Sequence, residues 1–437
     1  MNTEILPVNL SAVGITSATT AKPSWINNWT LEGSNTSTDA QSLRRAAQEL
    51  RTSDVPVAFP TETVYGLGAD ATRSNAVLGI YKAKQRPSDN PLISHIWSLN
   101  QLRDLLEPGK AQSHDGHGRD LIPEIYKPLI AKFWPGPLTL IMPNPSNSKL
   151  APEVTAGLPT FGIRMPRNPH ALALLKLANV PLAAPSANAS TKPSPTQAEH
   201  VKYDLEGRIS TIIDGGYCDV GVESTVVDGL STPPCILRPG GISIEEIRSC
   251  PGWEDVTVGY KDVSELNSKP RAPGMKYKHY SPKTRVVLYE HSRVAPSSAD
   301  IVQYLGEKKS IGLVRTARWP RGLGLADLQE ALPLNSSSST GVQALACDHV
   351  SPPNATNTPK LDMLEVSRLP ESKFTIHDVS LGHDAEDIAR GLFAALRSLD
   401  KLDLDAIIVE GVDDTLGDVS AAVMNRLRKA AEIKHLD

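Results

Sequence analysis

Apolar and polar positions alternate along this chain in a way that predicts a succession of helices and strands from about residue 38 onward. The segment DAQSLRRAAQELRT places Leu43, Ala46, Ala47 and Leu50 on one face of a predicted helix. The apolar run VPVAFP follows directly and predicts a short buried strand that ends at Pro60. A helix that leads into a buried strand is typical of an α/β fold.

A second helix is predicted between the bend GLGAD and the run PLISHI. Ser74 can cap its start, and Pro87 cannot continue it because proline lacks the N–H group that a helix requires. This helix places Lys84 and Arg86 at its exit, beside a Gly-rich bend with exposed backbone amides. We therefore expect an anion-binding pocket at this point.

Strand-like runs dominate the rest of the first half of the chain. They are PLISHI, PLTLIM, FGIRMP, VPLAAPS, STIIDG, STVVDG and CILRPG. Fewer helices lie between them, which indicates a large twisted mixed sheet rather than a strict alternation of strand and helix. We assign residues 38–251 to this first α/β domain.

The remaining segments differ in composition. Residues 1–37 are rich in Ser, Thr and Asn and predict a flexible tail, and residues 252–283 lack periodicity and predict a linker that covers the active site. From residue 284 to 437 strands and helices alternate again, which predicts a smaller Rossmann-like parallel α/β domain. Its Ser-, Asn- and Pro-rich stretch near 335–360 predicts a disordered insert, and the polar stretch 107–120 predicts a surface insertion.

Composition narrows the classes of function. The 437 residues carry a formal net charge of -4, which argues against a general nucleic-acid coat because such binding requires accumulated positive charge. The four cysteines show no paired short spacing, which disfavours a structural zinc site or a disulfide framework and favours a reducing compartment. No apolar run approaches the roughly 20 residues needed to span a bilayer.

Candidate chemistry gathers at predicted strand ends and in the loops after them. The residue types are hydroxyl, amide and cationic side chains, which suit the positioning and charge neutralisation that phosphoryl or nucleotidyl transfer needs. No Ser/His/Asp arrangement, P-loop or complete dinucleotide fingerprint accompanies them. The set comprises Thr61, Thr63, Lys84, Arg86, Asn90, His95, Thr160, Arg164, Ser186, Asn188, Ser194, Ser224 and Arg238.

Each of these residues also has an ordinary structural interpretation. Lys84 and Arg86 could be a solvated helix end that complements the helix dipole. His95 could be a half-buried strand histidine, and Ser186 with Asn188 could cap a local turn. Arg164 is different, because a charge inside the apolar strand FGIRMP needs a partner or an anionic ligand.

Taken together, PTETVYGLGADA, YKAKQRPSDNPL, WPGPLT, FGIRMP, APSAN and RPGG occur in this order and resemble the YrdC-like family. The added segment APGMKYKHYSP and the second α/β domain resemble the two-domain threonylcarbamoyl-adenylate synthases of that family. The resemblance covers nearly all of residues 38–437.

The resemblance implies a reaction and a set of site residues. Such enzymes combine L-threonine, bicarbonate or CO2 and ATP, with magnesium held mainly by ATP, into threonylcarbamoyl-adenylate and pyrophosphate. The implied residues are Lys84, Arg86, Ser186 and Asn188 for catalysis; Thr63, His95, Arg164, Ala184 and Ser224 for threonine; and Arg86, Asn90, Thr160, Ser186, Ser194, Arg238 and Tyr280 for ATP. No metal-binding residues of the protein are implied.

The resemblance also implies a cytoplasmic location and a partner, a tRNA-modifying threonylcarbamoyl transferase complex that receives the product. Two alternatives to a synthase remain at the level of the sequence. The first is an RNA-binding module that uses the same basic crevice without turnover. The second is an amino-acid-binding regulator that binds threonine and ATP without releasing pyrophosphate.

Overall fold

The computed structural model describes residues 1–15, 25–88, 90–108, 120–259, 279–325, 360–366 and 374–435. Three sequence predictions fall wholly or largely outside these residues. They are the polar insertion at 107–120, most of the linker at 252–283, and the disordered insert near 335–360.

The chain divides into two compact units that do not simply follow one another along the sequence. Unit 1 comprises Met1–Tyr280 together with Asp414–Lys429, and unit 2 comprises Ser281–Asp413 together with Ala430–Asp437. The sequence assigned all of residues 284–437 to a second domain. Residues 414–429 instead group with unit 1, where Arg426 pairs with Glu223 and the Asp418 carboxylate accepts from the Ile244 N–H.

An eleven-stranded mixed sheet forms the centre of unit 1, as predicted from the strand-like runs. Its order is β1-β8-β2-β3-β7-β4-β6-β5-β9-β10-β11, with both parallel and antiparallel neighbours. The strands are β1 (Glu4–Pro7), β2 (Val57–Phe59), β3 (Gly66–Asp70), β4 (Ile93–His95), β5 (Leu138–Pro143), β6 (Thr160–Arg164), β7 (Leu182–Ala183), β8 (Thr211–Asp214), β9 (Thr225–Asp228), β10 (Cys235–Arg238) and β11 (Thr257–Val258).

Helices cover this sheet and bury their apolar faces against it. The helices of the first 280 residues are α1 (Trp25–Asn28), α2 (Thr38–Thr52), α3 (Ser74–Lys84), α4 (Leu99–Leu106), α5 (Lys127–Phe133), α6 (Pro152–Thr155), α7 (Pro169–Ala178), α8 (Ala198–Leu205) and α9 (Ile244–Arg248). In α2 the predicted apolar face is buried, and the Ser37 hydroxyl caps the helix by accepting from the Ala40 N–H.

The helix α3 ends near the predicted position and begins differently. Ser74 is its first residue, and Arg73 occupies the N-cap position without a capping hydrogen bond from its side chain. At the other end Gln85 adopts a left-handed conformation with φ of 53°, so the chain turns away immediately after Lys84. Lys84 therefore belongs to the last turn of the helix, and Arg86 lies beyond it.

The first residues of the chain differ from the predicted flexible tail. Glu4–Pro7 forms the edge strand β1, which pairs in parallel with β8 from Glu4 opposite Thr211 to Pro7 opposite Asp214. Val8, Val13 and Ile15 are buried. A four-residue edge strand within a Ser-, Thr- and Asn-rich segment has too little local pattern to be recognised, because its stability comes from a partner about 200 residues away.

Unit 2 contains a smaller sheet with the order β14-β15-β13-β16-β12-β17. Five of its strands are parallel, as predicted, and β14 is antiparallel to β15 at one edge. The strands are β12 (Val286–Tyr289), β13 (Ser310–Arg315), β14 (Lys360–Val366), β15 (Phe374–Ser380), β16 (Ala406–Glu410) and β17 (Ile433–His435), and the later helices of the chain are α10 (Ser298–Val302), α11 (Ala385–Asp400) and α12 (Asp418–Ala430).

Among the described residues, the helices are all too short or too polar to cross a lipid bilayer.

Candidate functional site

Five neighbouring strands of unit 1 bring polar residues to one edge of the sheet. His95 and Arg164 end the parallel strands β4 and β6 and lie opposite each other. Ser224 directly precedes β9, and Arg238 ends β10, which runs antiparallel to β9. Because β5 is antiparallel to β6 and parallel to β9, all these strand ends lie on the same side of the sheet. The topology thus gathers residues that are far apart in the sequence.

These residues border a crevice of about 560 Å³, a volume that includes space open to solvent. Ten predicted site residues are among those that line it: Thr61, Thr63, Arg86, His95, Arg164, Ala184, Ser186, Ser224, Arg238 and Tyr280. The other described residues that line the crevice are Val64, Gly66, Ile93, Pro185, Glu223 and His279. Lys84, Asn90, Thr160, Asn188 and Ser194, which were also predicted, are not among the lining residues.

Arg164 is held by a buried acidic partner. Its Nη2 lies 2.6 Å from Oε1 of Glu62, and both side chains are almost fully buried. Its Nη1 donates to the Thr63 hydroxyl at 2.9 Å, and its Nε donates to the Gly136 carbonyl at 3.2 Å. Burial by itself would raise the pKa of the Glu62 carboxyl, but the Arg164 guanidinium more than offsets this and the pKa is lowered. Arg164 is therefore fixed in place, with a compensated charge, before any ligand arrives.

His95 is neutral in this environment. Its Nδ1 lies 3.2 Å from the Ile93 carbonyl oxygen. Burial, followed by the positive charge of Arg164, lowers the pKa of His95 to about 3. An uncharged imidazole beside a fixed guanidinium presents a hydrogen-bonding group without adding a second positive charge.

Lys84 lies in the wall behind the crevice and is only 2 % exposed. Its Nζ donates to the carbonyl oxygens of Ser186 and Asn188, the latter at 2.6 Å. The same segment is aligned with β3 by an antiparallel bridge between Gly66 and Ser186. The ammonium group therefore holds the backbone of the APSAN segment in place. Lys84 is buried, so it is not the solvated helix end that the sequence also allowed.

The remaining predicted residues lie in different surroundings. Thr160 begins β6, four residues before Arg164, which is about 13 Å along a strand. The carbonyl of Asn90 accepts from the Tyr81 hydroxyl at 2.9 Å, and the Asn90 Oδ1 is buried with no hydrogen-bond partner in the described residues. The Asn188 side chain donates to the carbonyls of Ala189 and Lys192 and thus stabilises its own loop.

Ser224 and Arg238 form one hydrogen-bonded group. Arg238 donates through Nε to the Ser224 carbonyl and through Nη2 to the Ser224 hydroxyl, both at 3.0 Å. The Ser224 hydroxyl also lies 2.8 Å from that of Thr139 in β5. Burial lowers the pKa of Arg238 to about 10, although the nearby Tyr280 and Glu223 act in the opposite direction.

The turn after β10 requires glycine at position 240. A Cβ at Gly240 would lie 2.3 Å from the Thr225 nitrogen and 2.6 Å from the Glu223 carbonyl oxygen. This close approach of two backbone segments places the RPGG turn against the start of β9.

His279 and Tyr280 bring the end of the predicted linker to the crevice wall. Their rings lie 4.3 Å apart, and the His279 N–H donates to the Lys429 carbonyl at 3.2 Å. Burial lowers the pKa of His279 to about 3 and raises that of Tyr280 to about 12.

Sequence reasoning missed three charged residues at this site: Glu62, Glu223 and Arg426. Glu62 and Glu223 gave a usable signal, because each lies beside apolar residues, in PTETVYG and in GVESTVV, and a buried carboxylate needs a cation. Arg426 gave no such signal, because in the helical segment VMNRLRKAAE it looks like its cationic neighbours Arg428 and Lys429.

The described residues offer no cluster of three or more His, Cys, Asp or Glu side chains that could hold a metal ion. Glu223 contributes a carboxylate to the crevice, and both of its oxygens have partners: Ser194 donates to Oε1 at 2.5 Å, and Arg426 Nε lies 3.0 Å from Oε2. These residues do not fit a resident metal centre.

Two family models match the chain. The Sua5/YciO/YrdC model, described as telomere recombination, matches residues 49–240. A model described as threonylcarbamoyl-AMP synthase, C-terminal domain, matches residues 242–432.

Relatives match both units of the chain together. Threonylcarbamoyl-AMP synthase of Schizosaccharomyces pombe is 45 % identical over 411 residues, which cover 90 % of this chain and 88 % of the relative. That of Bacillus subtilis is 42 % identical over 397 residues, covering 90 % and 94 %. The crystal structure of P. abyssi Sua5 complexed with L-threonine is similar with a TM-score of 0.66 and 37 % identity, covering 90 % of this chain and 96 % of that one.

Proposed function

The chain belongs to the threonylcarbamoyl-AMP synthase family, and we propose that it forms threonylcarbamoyl-AMP and pyrophosphate from L-threonine, bicarbonate or CO2 and ATP in the crevice of unit 1. It is a nucleotidyltransferase that acts in tRNA modification. The observation that carries this assignment is the crevice itself. Its wall holds three guanidinium groups, Arg86, Arg164 and Arg238, as substrates with a carboxylate and a triphosphate require.

We assign threonine to the end of the crevice formed by Thr63, His95 and Arg164. The relative whose crystal structure is complexed with L-threonine supports this ligand. Arg164 pairs with the amino-acid carboxylate while Glu62 keeps its guanidinium in place. His95 stays neutral and therefore adds no second positive charge beside Arg164. Ala184 and Ser224 complete this end of the site.

We assign ATP to the end that contains Arg86, Ser186, Arg238 and Tyr280. Arg86 and Arg238 neutralise the phosphates, and their charges become more effective as the reaction concentrates negative charge on the leaving group. Of the other residues that the resemblance assigns to ATP, Ser194 donates a hydrogen bond to Glu223, whereas Asn90 and Thr160 are not among the residues that line the crevice. The nucleotide would enter as its magnesium complex, with the ion held mainly by ATP.

Two bond-forming steps account for the product. The threonine nitrogen attacks the carbon of CO2 and loses a proton, which gives N-carboxythreonine; with bicarbonate, a C–O bond also breaks and the hydroxyl group takes up that proton and leaves as water. An oxygen of this carboxylate then attacks the α-phosphorus of ATP, the bond between that phosphorus and the bridging oxygen breaks, and pyrophosphate leaves. Lys84 and Asn188 contribute by holding the segment that carries Ser186.

Within this proposal, residues 38–251 supply most of the crevice, and the linker at 252–283 supplies Tyr280. The product passes to a threonylcarbamoyl transferase complex that modifies tRNA. We place the activity in the cytoplasm, as expected for an enzyme that acts in tRNA modification.

The test is pyrophosphate release from ATP by the purified full chain, measured with and without L-threonine and bicarbonate. We expect release to depend on both, and L-serine in place of threonine serves as the control. Release that is independent of threonine would contradict the proposal. Salt-sensitive RNA binding without turnover would favour the RNA-binding alternative, and binding of threonine and ATP without release would favour the regulator.

A further inference from the structure

The side chain of Arg426 is fully buried at a place where two crevice-forming segments meet. Arg426 belongs to α12, some 190 residues beyond Arg238 in the sequence, and groups with unit 1. Its Nε lies 3.0 Å from Oε2 of Glu223, and its side chain has no exposed surface. A buried guanidinium must have its charge and its N–H groups satisfied, so its partners define its role.

Those partners are the residues next to the predicted ligand-binding groups. Arg426 Nη1 donates to the Pro239 carbonyl at 2.6 Å, and Nη2 donates to the Glu223 carbonyl at 3.4 Å. Pro239 directly follows Arg238, and Glu223 directly precedes Ser224. One planar fork thus connects the end of β10 to the start of β9 at the crevice wall.

The Glu223 carboxylate extends this connection to a third segment. Its Oε1 accepts from the Ser194 hydroxyl at 2.5 Å while its Oε2 faces Arg426. Burial alone would raise the pKa of Glu223, but Arg426 and Arg238 lower it to about 2, so the carboxylate remains ionised. A salt bridge to Arg426 and a hydrogen bond from Ser194 therefore both fix the Glu223 carboxylate.

The same helix also contacts the end of the linker. The Arg426 guanidinium lies 6.0 Å from the centre of the Tyr280 ring, and the Lys429 carbonyl accepts from the His279 N–H. Arg426 itself is not among the described residues that line the crevice. It stands behind the wall, contacts Glu223, Pro239 and Tyr280 from three of its segments, and is connected to Ser194 through the Glu223 carboxylate.

We propose that Arg426 is a positioning residue for the nucleotide end of the crevice, which fixes Ser194, Arg238 and Tyr280 in the arrangement that ATP requires. This inference rests on the proposed function, since it assigns ATP to that end. It also gives α12 a specific task. The helix α12 supports from behind a crevice whose described lining residues all lie within the first 280 residues.

The test compares Arg426→Met and Arg426→Lys with Arg428→Met as the matched control. Arg428 lies on the same helix, is 38 % exposed and pairs with Asp414, so it shares the helix but not the buried network. For each variant we would measure the thermal midpoint, kcat, the KM for ATP and the KM for threonine, at a temperature where the variant is folded.

We expect Arg426→Met to lower kcat/KM for ATP by about 10²-fold and that for threonine by less, because Thr63, His95 and Arg164 do not contact Arg426. Arg426→Lys should recover part of the loss, since it keeps the charge but lacks the fork. Arg428→Met should match the wild type. If Arg426→Met folds and its kcat/KM for ATP is near normal, the proposal is overturned. If Arg426→Met does not fold, a near-normal kcat/KM for ATP in Arg426→Lys overturns it instead.

Binding of ATP, followed by calorimetry without turnover, separates this inference from the proposed function. If the wild-type chain binds ATP but releases no pyrophosphate, the proposed function fails while Arg426→Met is still expected to weaken ATP binding by at least about tenfold. Equal ATP binding by wild type and Arg426→Met would overturn the positioning role whatever the activity.

Discussion

At the scale of single residues, two neighbouring cations that look alike in the sequence have different surroundings. Lys84 is buried and donates to two backbone carbonyls of the APSAN segment, whereas Arg86 lines the crevice. The ammonium is a compact donor that can brace a loop from behind, and the guanidinium is a broad fork suited to phosphate oxygens. The pair therefore combines support of the wall with contact to the substrate.

Substituting each cation with methionine should separate these two roles. Arg86→Met should lower the rate of pyrophosphate release by about 10²-fold with little change in stability, as expected for loss of an electrostatic stabiliser. Lys84→Met should lower both the rate of pyrophosphate release and the stability. We expect a loss of roughly 2–5 kcal/mol in the free energy of unfolding, because two charged hydrogen bonds are lost and two buried carbonyls are left without a donor.

Urea denaturation and the pyrophosphate assay check both expectations. Lys82→Met is the matched control, because Lys82 lies on the same helix and is exposed. Lys84→Met that is as stable as the control would show that the bracing role is absent.

At the scale of elements, the site depends on the register between turns and strands. The RPGG turn after β10 lies so close to the start of β9 that only glycine fits at position 240. This contact keeps Arg238 within hydrogen-bonding distance of Ser224. A small change in the turn should therefore reach the ligand-binding groups directly.

Gly240→Ala tests this coupling. The added Cβ would meet backbone atoms that cannot rotate away, so the turn must shift, at a cost of about 1–3 kcal/mol in the free energy of unfolding. We also expect the KM for ATP to rise, because Arg238 moves with the turn. Gly33→Ala is the control, since no atom lies within 4 Å of a Cβ at that position. An unchanged KM for ATP in Gly240→Ala would show that the position of the turn does not affect ATP binding.

At the scale of the whole molecule, buried ionisable groups make stability depend on pH. His95 and His279 have pKa values lowered to about 3, chiefly by burial, and that of His170 is lowered for the same reason. The unfolded chain takes up protons at these histidines near pH 6.5, while the folded chain does not. The stability that they contribute is present above about pH 6.5 and is lost as the pH falls toward 3.

We therefore expect the free energy of unfolding to decrease between pH 7 and pH 5, by up to about 1.4 kcal/mol per pH unit for each of these histidines. Urea denaturation at several pH values measures this slope. His170→Asn should reduce the slope, since that position lies outside the crevice wall and its replacement does not titrate. A slope that is the same in wild type and variant would show that His170 does not stay neutral in the folded chain.

Much of this protein can be predicted from its sequence. Periodic apolar runs predicted the mixed sheet, the helices α2 and α3 and the smaller parallel sheet, because each element buries a face that its own local pattern specifies. The strand-end residues Thr63, His95, Arg164, Ser224 and Arg238 could be identified because polar groups at the ends of apolar strands meet at one sheet edge.

Only the tertiary structure decided which side chains face the crevice and which ones support it. Glu4–Pro7 forms a strand only because β8 pairs with it. Lys84 supports the APSAN segment only because the carbonyl oxygens of that segment lie within hydrogen-bonding distance of its ammonium group. Arg426 belongs with Glu223 although 203 positions separate them. A local pattern specifies burial and periodicity, whereas partners from distant segments depend on how the sheet is ordered and the helices pack, which single stretches of sequence do not specify.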